Sequence, residues 1–172
     1  MAFDTKEIEL IRDKTQAFFD KLGFGVVAQI NPNGPFFSPK LANTDEEGLA
    51  ISIPGENLGL LIGFRGETLL ALQTVLSLVL NKELSQKLGV KPPTRRFITL
   101  DVGDWRLARE EVLIDMAGRA IDKSLTTSSS VALPPLSSFE RRIVHVYLST
   151  LTGVEEWSEG EEPHRRIVIK AK

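Results

Sequence analysis

Between Leu58 and Leu80 the chain is almost continuously apolar, yet two glycines stand three apart inside it, in the run LLIGFRGETL from Leu60 to Leu69. Glycine inside a regular element is destabilising by about 0.5–1 kcal/mol relative to alanine, because it loses the most backbone freedom on folding. A pair at this spacing therefore predicts a tight reversal between two helices, a short one capped by Asn57 and running through Ile62, and a longer one from about Glu67 to Asn81. Leu69, Leu70, Leu72, Val75, Leu76, Leu78, Val79 and Leu80 occupy most of the longer helix's circumference, so it must be covered on several sides. The most apolar window, Leu69 to Leu80, is shorter than the roughly 20 residues of a membrane span. No membrane insertion is expected.

The flanking segments complete a mixed pattern. Asp4 to Leu22 places Ile8, Ile11, Thr15, Phe18 and Leu22 at helical steps, with Asp4 and Glu7 as a capping box and Gly23 just past the end. Phe24–Ile30 reads as a strand, Asn31–Pro35 as a turn, and Asn31–Gly48 as a long mobile excursion. A second strand, Leu49–Ile53, ends at Pro54-Gly55, and a third, Phe97–Val102, follows a Pro-Pro linker. From Asp104 a helix carries Trp105, Ala108, Val112, Met116 and Ala120. The polar stretch Thr126–Ser130 is a candidate break between two units, and Val131–Leu136 opens the second. Ser137 and Glu140 then form another capping box, for a helix through about Thr150 with Phe139, Ile143, Val146 or Tyr147, and Thr150 turned inward. Short strands are expected near Val154–Trp157 and Arg166–Lys170. The fold class is α+β, in two domains, 1–103 and 104–172, with the boundary lying between 103 and 130.

Composition narrows the chemistry. The 172 residues are 42% hydrophobic and 26% charged, as in a chain that packs a core. The absence of cysteine removes disulfides and thiol chemistry, and two histidines do not make a histidine metal cluster. No cofactor is expected. The N-terminus lacks the basic and apolar regions of a secretion signal, which suits a cytoplasmic location. A net charge of −2 excludes binding driven by general positive charge, so any affinity for phosphate must be local.

Two places offer such locality. At Gly63, Phe64, Arg65 and Gly66, missing Cβ atoms bring main-chain N–H groups close to a ligand. The positive end of the following helix faces it, and Arg65 adds a donor fork. Glu67 opposes this at the helix start. In the second unit Arg141 and His145, four apart, are expected to share one exposed helix face and hold phosphate jointly, with Arg142 beside them and Arg165 and Arg166 on the last strand. Glu159, Glu161 and Glu162 are candidates to hold those arginines. Trp105 and Trp157 are stacking candidates that read first as core, and Arg95, Arg96 and Arg106 are a further basic group. Asp101, Asp104, Glu110 and Glu111 suggest Mg²⁺-dependent nuclease chemistry, but Asp at a strand-to-helix junction is also a cap and the two glutamates face different ways.

The order helix, strand, strand, helix, Gly-x-x-Gly, helix, strand is that of a KH domain. With LGLLIGFRGETLLALQTVLSLVLNK, FITLDVGDWRLAREEVLIDMAGRAI, and then FERRIVH and SEGEEPHRR, the sequence resembles the Jag-type bacterial RNA-binding proteins, from the first helix to Lys170. These join a KH domain to a domain named for its Arg-x-x-x-His signature, the R-three-H domain, and often carry a further N-terminal domain, for which no room is expected before Asp4. The resemblance implies a helix-first, type II KH domain with a three-stranded sheet and helices, followed by a small α+β R-three-H domain. It maps the signature residues onto Arg141 and His145. It implies non-catalytic binding of single-stranded RNA, with single-stranded DNA as a second ligand, and a partner KH protein or a homodimer. A protein-interaction module without RNA binding is the alternative, and a Mg²⁺-dependent nuclease is the third.

Overall fold

The computed structural model describes residues 3–32, 48–88 and 96–172. Most of the excursion expected at 31–48 and the predicted basic residue Arg95 lie outside the described residues. The chain divides into two compact units, Met1–Arg106 and Leu107–Lys172.

The first unit opens with α1 (Thr5–Lys21), closed at its start by a reciprocal bond set in which Glu7 N–H donates to Asp4 Oδ1 and Asp4 N–H to Glu7 Oε2. Its buried stripe is Glu7, Ile11, Thr15 and Phe19, a strict four-residue step that puts Phe19 rather than Phe18 at the centre. Glu7 tolerates burial because Arg96 meets it at 2.9 Å and satisfies both its oxygens. The expected strand Phe24–Ile30 shrinks to β1 (Gln29–Asn31). The Gln16 side chain donates to Val26 O at 2.8 Å and accepts from Ala28 N–H, so that stretch is satisfied by a side chain instead of a ladder.

β1 pairs antiparallel with β2 (Leu49–Ile53), matching Ile30 to Ile51, and β2 pairs parallel with β3 (Ile98–Val102), matching Ile51 to Leu100. A parallel pair needs a crossover connection, and here it is α2 (Gly59–Ile62), one 3₁₀ turn at Phe64–Gly66, and α3 (Glu67–Leu88). Leu49, Ile51, Ile53, Ile98, Leu100 and Val102 alternate onto one face and are buried with Ile11, Phe19, Leu69, Leu76 and Leu80. α3 runs seven residues beyond the predicted end at Asn81. Leu84 continues its buried side, and Lys14 reaches Glu83 at 3.1 Å.

Two expectations change. Asn57 does not cap α2; it takes φ +59°, and Leu58 stands at the cap without a side-chain bond. α3 is not covered all round either, since Val75, Leu78 and Val79 stay exposed. By length and composition the 59–87 segment is apolar enough to cross a membrane, in contrast to the shorter window read from sequence. It is nevertheless broken at Gly63–Gly66, and its Leu69, Leu76, Leu80 and Leu84 are core residues.

α4 (Trp105–Thr127) begins at the end of the first unit and continues into the second, which also holds β4 (Val131–Ala132), α5 (Ser138–Ser149), β5 (Val154–Glu159) and β6 (Arg166–Ala171). The sheet order is β4-β6-β5, antiparallel throughout, so β6 is central, and its Ile167, Val168 and Ile169 are buried. The predicted capping box at Ser137 and Glu140 is present, and Glu140 also receives Arg109 at 2.6 Å. Ser137→Ala is expected to lower the unit's unfolding free energy by about 1 kcal/mol, measurable by urea titration. A change below the error of that measurement would show that Glu140 closes the helix alone.

Candidate nucleic-acid interface

The two glycines are required by packing inside the first unit. Gly63 has φ +71°, and a Cβ there would overlap the Thr68 side chain. Gly66 has φ +81°, is buried, and would drive a Cβ into the Trp105 ring. Trp105, expected in the core, packs against it.

The main-chain amides are less open than the glycines suggest. Gly63 N–H donates to Gly59 O at 2.8 Å, Gly66 N–H to Gly63 O at 3.4 Å, and Glu67 N–H to Phe64 O. What projects is the crest between the glycines. Phe64 is 71% exposed, with Leu60 exposed before it. Arg65 takes the left-handed conformation, φ +49° and ψ +28°, and its guanidinium carbon lies 5.2 Å from the Phe64 ring centroid. A guanidinium over an aromatic face is an attractive pair, and together they offer a flat surface for a base beside a fork for phosphate oxygens.

The second unit departs further from expectation. Arg141 does not share an exposed face with His145; it is 7% exposed. The buried side of α5 is Glu140, Arg141, Ile143, Val144 and Leu148, turned away from the predicted stripe of Phe139, Ile143, Val146 or Tyr147, and Thr150. Arg141 donates to Leu136 O at 2.7 Å and to Glu162 Oε1 at 2.5 Å, pinning the loop before β6 to the start of α5. Glu162 thus holds Arg141 rather than Arg165 or Arg166. Glu159 does approach Arg166, at 3.4 Å.

Arg142, Arg165 and Arg166 are exposed. His145 is partly exposed and sits between two groups of β5: Glu156, whose carboxylate faces Nδ1, and Ser158, whose Oγ lies 3.1 Å from Nε2. Sequence reasoning passed over Glu156 and Ser158, although their spacing of two on a strand places them on one face.

Other candidates are resolved by their contacts. Trp157, read as core, is 41% exposed. Arg96 is engaged with Glu7 and lies over the Phe3 ring. Arg106 is buried, donating to Leu100 O at 3.0 Å and Gln73 Oε1 at 2.7 Å; burial lowers its pKa, and nearby Asp101 counteracts this. These two arginines are structural and do not form a surface basic group. Asp101 Oδ1 accepts the Val102 and Arg106 amides and so serves the junction between β3 and α4. Glu110 is buried whereas Glu111 is exposed, which separates the carboxylates of the proposed nuclease site.

Two family models match the chain: the KH domain of KhpA/KhpB over residues 38–91 and the R-three-H domain over residues 111–171. The RNA-binding protein KhpB of Clostridium symbiosum is 38% identical over 130 residues, covering 76% of this chain and 55% of that protein. The chain belongs to the Jag-type family. Other Jag-type relatives are the RNA-binding protein KhpB of Bacillus subtilis, 38% identical over 122 residues with 70% of this chain and 55% of that protein covered, and that of Streptococcus pneumoniae, 30% identical over 125 residues with 73% and 36% covered. The chain spans about half the length of the first two. In this Jag-type chain the compact unit that holds the matched KH stretch also takes in α1 and β1 before it and β3 after it.

Proposed function

We propose that the chain binds single-stranded RNA, and single-stranded DNA as a second ligand, without catalysing a reaction on it. The observation that carries the reading is the exposed Phe64–Arg65 crest, an aromatic face and a guanidinium held by a turn whose glycines cannot be replaced without clashes. The crest receives a base and its phosphate, with Gly63 and Gly66 shaping the backbone beneath. In the second unit Arg142, Arg165, Arg166 and His145 supply the phosphate contacts, while Arg141 holds their scaffold. The names of the KhpB relatives support RNA as the ligand. The functional division into a KH and an R-three-H domain falls at the start of α4, and the location is cytoplasmic.

Replacing Phe64 and Arg65 together by Asp is expected to weaken binding of a short labelled single-stranded RNA about tenfold or more, with the unfolding transition unchanged, because both residues are exposed. Undiminished affinity in that variant would favour a protein-interaction module instead. Repeating the wild-type titration at two salt concentrations gives a slope of about −0.7 per phosphate neutralised on a single strand. A flat salt response would remove the arginines from the mechanism. For protein partners, a second KH copy, in a homodimer or a separate KH protein, is supported by the uncovered Val75, Leu78 and Val79 of α3. Sedimentation of wild type against Leu78→Lys tests the homodimer; identical mass at all concentrations for both would leave that face unused by a second copy.

A further inference from the structure

Glu156, His145 and Ser158 form a connected row of polar groups between β5 and α5. Glu156 and Ser158 project from the same face of β5, and His145 of α5 lies between them, Nδ1 toward the carboxylate and Nε2 toward the hydroxyl. An ionised carboxylate can only accept, so Nδ1 carries a hydrogen whether the ring is neutral or charged. In the neutral ring Nε2 is therefore bare. Ser158 must donate its only hydroxyl hydrogen to it, leaving lone pairs alone to face solvent, and these repel a phosphate oxygen. In the imidazolium, Nε2–H donates to Ser158 Oγ and the hydroxyl hydrogen is released to turn outward. Only this second state offers a phosphate both a donor and a positive charge.

We propose that Ser158 and His145 form a proton-linked phosphodiester site, in which binding of a backbone phosphate takes up one proton at His145. The proposal rests on the RNA-binding reading above and adds to it a ligand contact, Ser158, and a linkage. The charged groups around His145 favour the coupling. Glu156 from β5 balances the imidazolium, and Glu159 and Glu162 are engaged by Arg166 and Arg141. Glu140 of α5 is taken by Arg109 of α4. Arg142 on α5, one helical turn before His145, opposes protonation of the empty site, and a bound phosphate offsets its charge, whereas Arg166 lies with Glu159 on the other face of the β5–β6 pair. Glu161 and His164 in the loop between β5 and β6 are exposed. Because coupling free energies are reciprocal, protonation must tighten phosphate binding by the same factor that phosphate favours the proton.

The test is calorimetric titration of the full chain with a short mixed-sequence single-stranded RNA at about pH 7, where imidazoles titrate, in two buffers of different ionisation enthalpy. The expected result is net proton uptake that persists in His164→Gln and is lost in both His145→Gln and Ser158→Ala. Affinity measured by anisotropy should fall as pH rises from about 6 to about 8, approaching about tenfold per unit for one obligate proton, and Ser158→Ala should flatten that profile. Where a variant is unstable, the wild type suffices: its His145 Cε1–H resonance, followed by NMR, should move toward the imidazolium position when RNA is added at about pH 7. RNA binding with no proton uptake, or uptake unchanged in Ser158→Ala, overturns the linkage and leaves the RNA-binding reading standing. No binding at any pH overturns both.

Discussion

Gly66→Ala will lower the stability of the first unit by about 2–4 kcal/mol, the sum of overpacking against a rigid ring and of a non-glycine residue forced to positive φ. The magnitude follows from what surrounds the site. The added Cβ meets the Trp105 indole, which is itself packed against the core, and φ is +81°. Neither strain is relieved by a small movement, because shifting the ring disturbs the junction that Asp101 and Arg106 hold between β3 and α4. Urea unfolding followed by Trp105 fluorescence measures the change, with Trp157→Phe as background so that one indole reports. A loss below about 1 kcal/mol would mean that the turn relaxes, and that its glycines are retained for ligand approach alone. The comparison with the Phe64 and Arg65 replacements separates two roles in one short turn: the glycines set the fold, and the crest meets the ligand.

Arg141→Ala will destabilise the second unit by about 2–3 kcal/mol, the cost of leaving a buried carbonyl without its charged donor and of losing the packed side chain. Glu162 is more than half exposed and is rehydrated when its partner leaves, so the loss falls mainly on Leu136 O. Arg142→Ala, by contrast, is expected to change stability by no more than about 0.5 kcal/mol and to reduce the salt slope of RNA binding. Thermal unfolding of both variants and RNA titration well below the transition decide the matter. If Arg141→Ala unfolds at the wild-type temperature yet loses RNA affinity, the guanidinium is a direct phosphate contact and its structural assignment fails.

The capping boxes at Asp4 and Ser137, the strands Leu49–Ile53 and Ile98–Val102, and the reversal at Gly63–Gly66 are legible in the sequence because each depends on neighbours within a few residues. The α+β class and the order of elements follow from the same local signals. Less legible were features that depend on distant partners. Gln16 replaces a strand for Val26 and Ala28, and Arg96 neutralises Glu7 across 89 positions. Whether a guanidinium lies in water or under a loop is a matter of which side of α5 the rest of the unit covers, and helical spacing alone does not rank Val144 and Leu148 above Phe139 and Tyr147.

By itself, then, the sequence determined where the main reversals fall, the order of helical and extended segments, and that positive charge must act locally on a slightly acidic molecule. Tertiary structure alone decided the use of each charge. It drew Arg96, Arg106 and Arg141 into internal bonds, left Phe64 and Arg65 on the crest, and set His145 between Glu156 and Ser158. The physical reason is that a long charged side chain belongs wherever the folded chain offers it an acceptor, and those acceptors are assembled only when segments far apart in sequence meet.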